Sequence, residues 1–72
     1  MTSDELEQRA KNMGITVTVL GLVRTADAAR ILSMSPRTLE EWRQSGIGPP
    51  FIKKQSRIVW YRLTDLAAWY DG

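Results

Sequence analysis

Apolar and polar positions change their spacing several times along the 72 residues. From Ser3 to about Asn12 or Met13, Leu6, Ala10 and Met13 fall on one side of a helix-spaced stretch. Ser3 is placed to cap that helix and Gly14 to end it. Its apolar face is thin, and isolated helices of this length are marginal in water. The stretch is therefore expected to be mobile, or ordered only by contact with another surface. Ile15-Thr16-Val17-Thr18-Val19-Leu20 then alternates with period two in β-branched residues, which predicts a strand. Gly21-Leu22-Val23-Arg24 continues it or leads into the next helix. A lone strand needs a partner: a later hairpin, or the same strand of a second molecule. From Ala28 the helical period returns through Ala29, Ile31 and Leu32. After a break at Ser33-Met34 it resumes with Leu39 and Trp42.

The chemistry at the ends of these two helices sharpens the picture. Thr25 is expected to N-cap the first, since its hydroxyl can accept from an unpaired backbone N–H. Asp27 comes next, where negative charge suits the helix dipole. Ser35-Pro36 restarts the chain as a helix: Ser caps, and Pro gives up an N–H that would be orphaned anyway. Gly46 supplies the stop. Two short helices, a tight turn and an alanine at the close approach make a helix-turn-helix, although the stretch alone also describes an αα-hairpin in a small bundle. The residues after Gly46 favour the helix-turn-helix. Ile47-Gly48-Pro49-Pro50 is stiff and extended. Phe51-Ile52-Lys53 and Ile58-Val59-Trp60-Tyr61-Arg62 read as strands around a polar turn, Lys54-Gln55-Ser56-Arg57, which lacks the Asn-Gly or Asp-Gly pair. Either Val59 and Tyr61, or else Ile58 and Trp60, face inward. Thr64 is expected to cap a last helix from Asp65 to about Tyr70, docked by Leu66 and Trp69, with Asp71-Gly72 frayed. The expected fold is α+β: a small winged helix-turn-helix over residues 23–72, with a two-stranded β-hairpin wing and a short C-terminal helix. Residues 1–22 form an N-terminal arm of helix plus strand.

Composition narrows the function. A chain this short buries only about 60% of its unfolded surface, which leaves little to support a buried catalytic constellation. It has no cysteine and no histidine, so thiolate sites, the usual zinc ligand, the usual general base and any triad are excluded. No pair of acids sits in a visibly apolar setting. Neither an enzyme nor a metal or cofactor site is expected. No apolar run approaches membrane-spanning length and no signal-peptide pattern opens the chain, so a soluble cytoplasmic protein is expected. The net charge of +2 is unevenly spread. Residues 24–62 hold eight basic side chains against three acidic ones, while both ends are acidic on balance. That is the footprint of a polyanion binder.

A winged helix-turn-helix suits duplex DNA. Its second helix fits the major groove with its first turns toward the base edges, and the hairpin reaches the flanking phosphates. With Leu39 and Trp42 inward, Arg37, Glu40, Glu41 and Gln44 point outward. Arg37 is the best base reader, its fork matching guanine N7 and O6; it binds a phosphate, or pairs with Glu41 one turn on, in the blander reading. Glu41 accepts from a cytosine amino group or holds Arg37 in place. Gln44 reaches a base edge or a phosphate. Thr38 is expected to be half buried, and Arg43 to lie along the protein surface. On the wing, Lys53, Lys54, Gln55 and Arg57 are donors to phosphate, with insertion of Arg57 into a narrow minor groove as the sharper alternative. Thr25 and Ser35, at the helix starts, are further phosphate candidates. The three tryptophans are assigned to the core.

Thr25, Ala29, Leu32, Ser35, Thr38-Leu39, Trp42 and Gly46, the Pro-Pro segment and the Asp65-Leu66-x-x-Trp69 helix resemble the compact MerR-like winged helix domains. Ile47-Gly48-Pro49-Pro50-Phe51-Ile52-Lys53 resembles the same segment of phage excisionases of the lambda type. The resemblance covers about Val23 to Tyr70. It implies a non-catalytic recombination directionality factor that binds adjacent sites in attachment-site DNA, bends it, and helps a phage integrase excise the prophage. The residues matching the groove-contacting positions are Arg37, Thr38, Glu41 and Gln44, with the wing at Lys53 to Arg57. Glu40 and Glu41 depart from relatives that carry basic residues there. The effector domain and long coiled coil of full MerR regulators have no counterpart in this sequence, which suits an architectural role. The partners implied are double-stranded DNA, the integrase, and other copies of the chain bound head to tail, in the nucleoid of a bacterial host. Two rival readings remain: a small MerR-like transcription regulator, which needs a dyad, and a phage assembly or terminase-like interaction module whose basic wing binds an acidic partner.

Overall fold

The computed structural model describes residues 2–53 and 58–71. Their order is α1 (Ser3–Asn12), β1 (Leu22–Arg24), α2 (Thr25–Ile31), α3 (Pro36–Ser45), β2 (Ile52–Lys53), β3 (Val59–Arg62) and α4 (Leu63–Asp71). The strands form one antiparallel sheet in the order β1-β3-β2. Its central strand pairs Val23 with Tyr61 on one side and Ile52 with Trp60 on the other. The result is an α+β winged helix-turn-helix whose hairpin has gained a third strand.

The helix-turn-helix forms where local chemistry places it. The Ser35 hydroxyl accepts from the Thr38 N–H at 3.2 Å, Pro36 opens α3, and Gly46 closes it with φ 75°. Between the helices Ser33 takes a left-handed φ of 60°, and the Met34 N–H reaches the Ala29 carbonyl at 2.9 Å. The start of α2 differs from expectation. Its N-cap is Arg24, which makes no side-chain capping bond, and Thr25 is already helical. Because β1 runs directly into α2, the extended cap conformation falls on the last strand residue. At the other end α4 follows β3 without a linker and begins at Leu63, so Thr64 lies inside the helix rather than before it.

The segment read as a strand, Ile15–Leu20, is not one. The Ile15 N–H bonds back to the Ala10 carbonyl at 2.9 Å and folds the chain under α1. A tight turn at Thr18–Gly21 comes next, closed by Gly21 N–H to Thr18 O at 2.9 Å. The Thr18 hydroxyl accepts from the Leu22 N–H at 3.1 Å. Pairing with β3 therefore starts only at Leu22. Ile15 is buried and Val17 packs against the core, so two apolar positions of the alternation are used, but in an irregular segment.

The N-terminal helix is docked, not a loose arm. Its N-cap is Thr2 rather than Ser3, in a reciprocal capping box with Glu5 at 3.1 and 3.0 Å. Leu6 and Ala10 are wholly buried, and α1 packs on α4 and α2. Arg9 donates to the Ser33 hydroxyl at 2.9 Å and Arg30 to the Met13 carbonyl at 3.2 Å, tying α1 to the helix-turn-helix. One core thus draws Leu6 and Ala10 together with Val23, Ile31, Leu39, Tyr61 and Leu66. On the sheet Val59 and Tyr61 face inward, which settles that alternative. Trp60 is half buried on the outer face, with the Arg24 guanidinium 5.6 Å from its ring centroid.

Candidate nucleic-acid interface

Helix α3 buries Leu39 completely and rests Trp42 on Trp69, ring centroids 5.1 Å apart. That fixes its other face outward: Arg37, Glu40, Glu41 and Gln44 are all exposed. Arg37 Nε donates to Glu41 Oε1 at 3.1 Å with both side chains in solvent. An exposed i,i+4 pair contributes only about 0.3–0.5 kcal/mol, so it orients Arg37 without locking it. Thr38 is half buried, its hydroxyl 2.9 Å from that of Ser35. These two candidates are bonded to each other at the start of α3, and Ser35 remains exposed.

The chain leaves α3 by passing over an aromatic ring. Gly48 has φ 89°, and a Cβ there would stand 2.8 Å from Trp42 Cε3. Only glycine allows both the left-handed turn and that approach. Pro49, buried, and Pro50 then carry the backbone into β2.

The wing and the helix meet in one open groove, lined by Glu40, Arg43 and Gln44 from α3 and by Phe51, Lys53 and Val59 from the wing. Lys53 is paired in register with Val59, so both lie on the sheet face turned toward α3. The first wing cation and the outer helix face therefore address the same side of the molecule. Lys54, Gln55 and Arg57 lie outside the described residues.

Arg43 is the residue that the sequence did not single out for structure. It does not simply lie along the surface. Its Nη1 donates to the Thr25 hydroxyl at 3.2 Å and to the Tyr61 hydroxyl at 3.1 Å, and its guanidinium stands 5.7 Å from the Phe51 ring centroid. One side chain thus braces α2, α3, β3 and the start of the wing. Thr25, a phosphate candidate from sequence, has its hydroxyl in this internal network. The available signal was a basic residue beside Trp42 on the edge of the apolar stripe, which does not separate a brace from a DNA contact.

A recognition helix with an exposed polar face, set beside a basic two-stranded flap, defines a winged helix-turn-helix DNA-binding module. The model of the helix-turn-helix domain family matches residues 22–72. The chain belongs to that family, and membership implies sequence-specific DNA binding. No curated protein gives a significant match. Among the described residues no helix is long and apolar enough to cross a membrane, and no group of three or more acidic, histidine or cysteine side chains is arranged to hold a metal ion.

Proposed function

We propose that this chain is a non-catalytic, DNA-bending protein of the excisionase type. It sets the direction of integrase-mediated recombination by occupying adjacent sites in attachment-site DNA. The observation that carries the DNA geometry is the shared groove: α3 and Lys53 address one side, as needed to grip the major groove and the neighbouring backbone together. The resemblance to excisionases rests on the residues of the segment Ile47-Gly48-Pro49-Pro50-Phe51-Ile52-Lys53. A single such module buries about 600–1,000 Å² on DNA, and each good base contact discriminates by about 1–3 kcal/mol. With Arg37, Thr38, Glu41 and Gln44 as the readers, a lone copy discriminates poorly, and useful specificity comes from several copies and from DNA that deforms to fit.

The test is to select preferred duplexes from a random pool, then track footprint and end-to-end energy transfer together during titration. Cooperative filling of neighbouring sites with a progressive bend is the expected result. Independent saturation of straight DNA overturns the architectural reading. Binding confined to an unbent inverted repeat identifies the transcription regulator instead.

A further inference from the structure

One residue of the helix-turn-helix holds a conformation that its side chain disfavours. Among the described residues Ser33 is the only non-glycine with a left-handed backbone, φ 60°. Its N–H bonds to the Arg30 carbonyl at 3.2 Å, and the Met34 N–H bonds to the Ala29 carbonyl at 2.9 Å. These two bonds close α2 in the Schellman pattern, whose left-handed position usually holds glycine and sometimes asparagine. The turn of a helix-turn-helix likewise often contains glycine. Serine there carries a steric penalty that glycine escapes.

The side chain that replaces glycine's missing one is put to use. Arg9, half buried on α1, donates from Nη2 to the Ser33 hydroxyl at 2.9 Å. Arg30 on α2 donates in the other direction, to the Met13 carbonyl at the end of α1, at 3.2 Å. That carbonyl lies at the negative end of the α1 dipole, where a cation is favoured. Two guanidiniums thus cross between the same two pieces of chain. Helix α1 lies before the family-matched residues 22–72, and its buried Leu6 and Ala10 fix it to the core. Ser33 stands two residues before the Ser35 cap of α3 and four before Arg37. Relaxation of its φ therefore moves the first turn of α3, which carries Arg37 and Thr38.

We propose that Arg9 and Arg30 are positioning residues for DNA binding. They form a reciprocal clasp through which α1 holds Ser33 left-handed and so aims the start of the recognition helix. Arg30 then belongs to the clasp and not to the phosphate footprint. The effect on affinity rests on the DNA-facing role given to α3; the clasp itself does not.

Hydrogen exchange of the Met34 amide, taken relative to amides in the middle of α4, reads the turn without DNA and apart from global stability. Arg9→Met keeps an apolar stem and loses the donor. It is expected to lower the relative Met34 protection about two- to tenfold, the worth of one net hydrogen bond, and Arg9→Lys to restore part of it. In a Ser33→Gly background the left-handed form needs no support, so Arg9→Met should leave that ratio unchanged. Fluorescence anisotropy with one fixed duplex supplies the second arm. Arg9→Met and Arg30→Met should each weaken binding by about the same two- to tenfold factor, at an unchanged slope of log K against log salt, and Ser33→Gly should remove both losses. Unchanged Met34 protection in Arg9→Met, or an equal loss in the serine and glycine backgrounds, overturns the clasp. A salt slope reduced by about one unit makes the arginine a phosphate contact and overturns its positioning role. If the wild type binds no duplex while the exchange pattern holds, the DNA reading falls and the positioning role with it, and the clasp stands as a feature of the fold alone.

Discussion

Replacing Arg43 by methionine tests the brace between the recognition helix and the wing. Methionine keeps most of the apolar stem but removes both donors. The Tyr61 side chain is wholly buried, so its hydroxyl loses the guanidinium that donates to it. An orphaned buried hydroxyl costs about 1–3 kcal/mol. The Thr25 hydroxyl is only half buried and rehydrates more cheaply. Loss of the guanidinium over Phe51 adds about 0.5–1 kcal/mol. The expected destabilisation is about 2–4 kcal/mol, a large share of the ~5–15 kcal/mol typical of a domain. The assay is urea unfolding monitored by circular dichroism, with a lower midpoint at unchanged slope. Tyr61→Phe supplies the decisive control, because it removes the hydroxyl that would be stranded. Alone it should cost about 0.5–1.5 kcal/mol. In that background Arg43→Met should cost about half or less of its value in the wild type. An equal cost in both backgrounds refutes the idea that stranding Tyr61 is what makes Arg43 indispensable.

Lys53→Ala should weaken binding to all duplexes alike and reduce the slope of log K against log salt by about one unit, measured by fluorescence anisotropy. Arg37→Ala should instead cost about 1–3 kcal/mol at one base position and little elsewhere, read from a panel of single-base variants; identical behaviour of the two proteins would remove the division into reader and anchor. Glu41→Gln should change stability by less than about 0.5 kcal/mol, because its pair with Arg37 is exposed, yet tighten binding to unrelated duplexes by removing a carboxylate while narrowing the preference for the selected sequence, measured on the same panel. Gly48→Ala combines a left-handed backbone, costing about 1–2 kcal/mol, with a Cβ 2.8 Å from Trp42, so it should lower the urea midpoint and shift tryptophan emission as the Trp42–Trp69 contact opens.

The features legible in the chain were those the backbone decides within one turn. Ser35, Pro36 and Gly46 bound α3 because capping, a missing N–H and a left-handed glycine act on their immediate neighbours. The outward set Arg37, Glu40, Glu41 and Gln44 came from helical spacing once Leu39 and Trp42 were assigned inward. The rest was settled by tertiary contacts. Alternation from Ile15 to Leu20 looks the same whether or not the segment pairs. Side-chain and backbone bonds at Thr18 decided that pairing begins at Leu22. Thr2 took the cap expected of Ser3 because only Thr2 has Glu5 three residues on to complete the box. Arg43 could not be distinguished from a surface cation without knowing that Tyr61 and Thr25 converge on it.

These tertiary contacts share a consequence for the interface. Strand β2 pairs only Ile52 and Lys53 with β3, and a two-stranded ribbon of that length is marginal by itself. It is held because β3 is paired on its other edge by three residues of β1, and because Arg43 ties the Tyr61 hydroxyl to α3. Strand β1 is in turn positioned by the Thr18 bonds and by the Leu63 N–H to the Gly21 carbonyl at 2.9 Å. The residues before the recognition unit thus do more than precede it. Leu6 and Ala10 pack α1 on α2 and α4, and the turn at Thr18–Gly21 sets the edge of the sheet from which the wing extends. The orientation of the basic flap relative to the recognition helix is therefore a property of the whole core, not of the hairpin's own pairing. Thr18→Val, which removes the hydroxyl that accepts from the Leu22 N–H, is therefore expected to weaken duplex binding through β1 and β3, read by fluorescence anisotropy, and unchanged binding would refute this coupling.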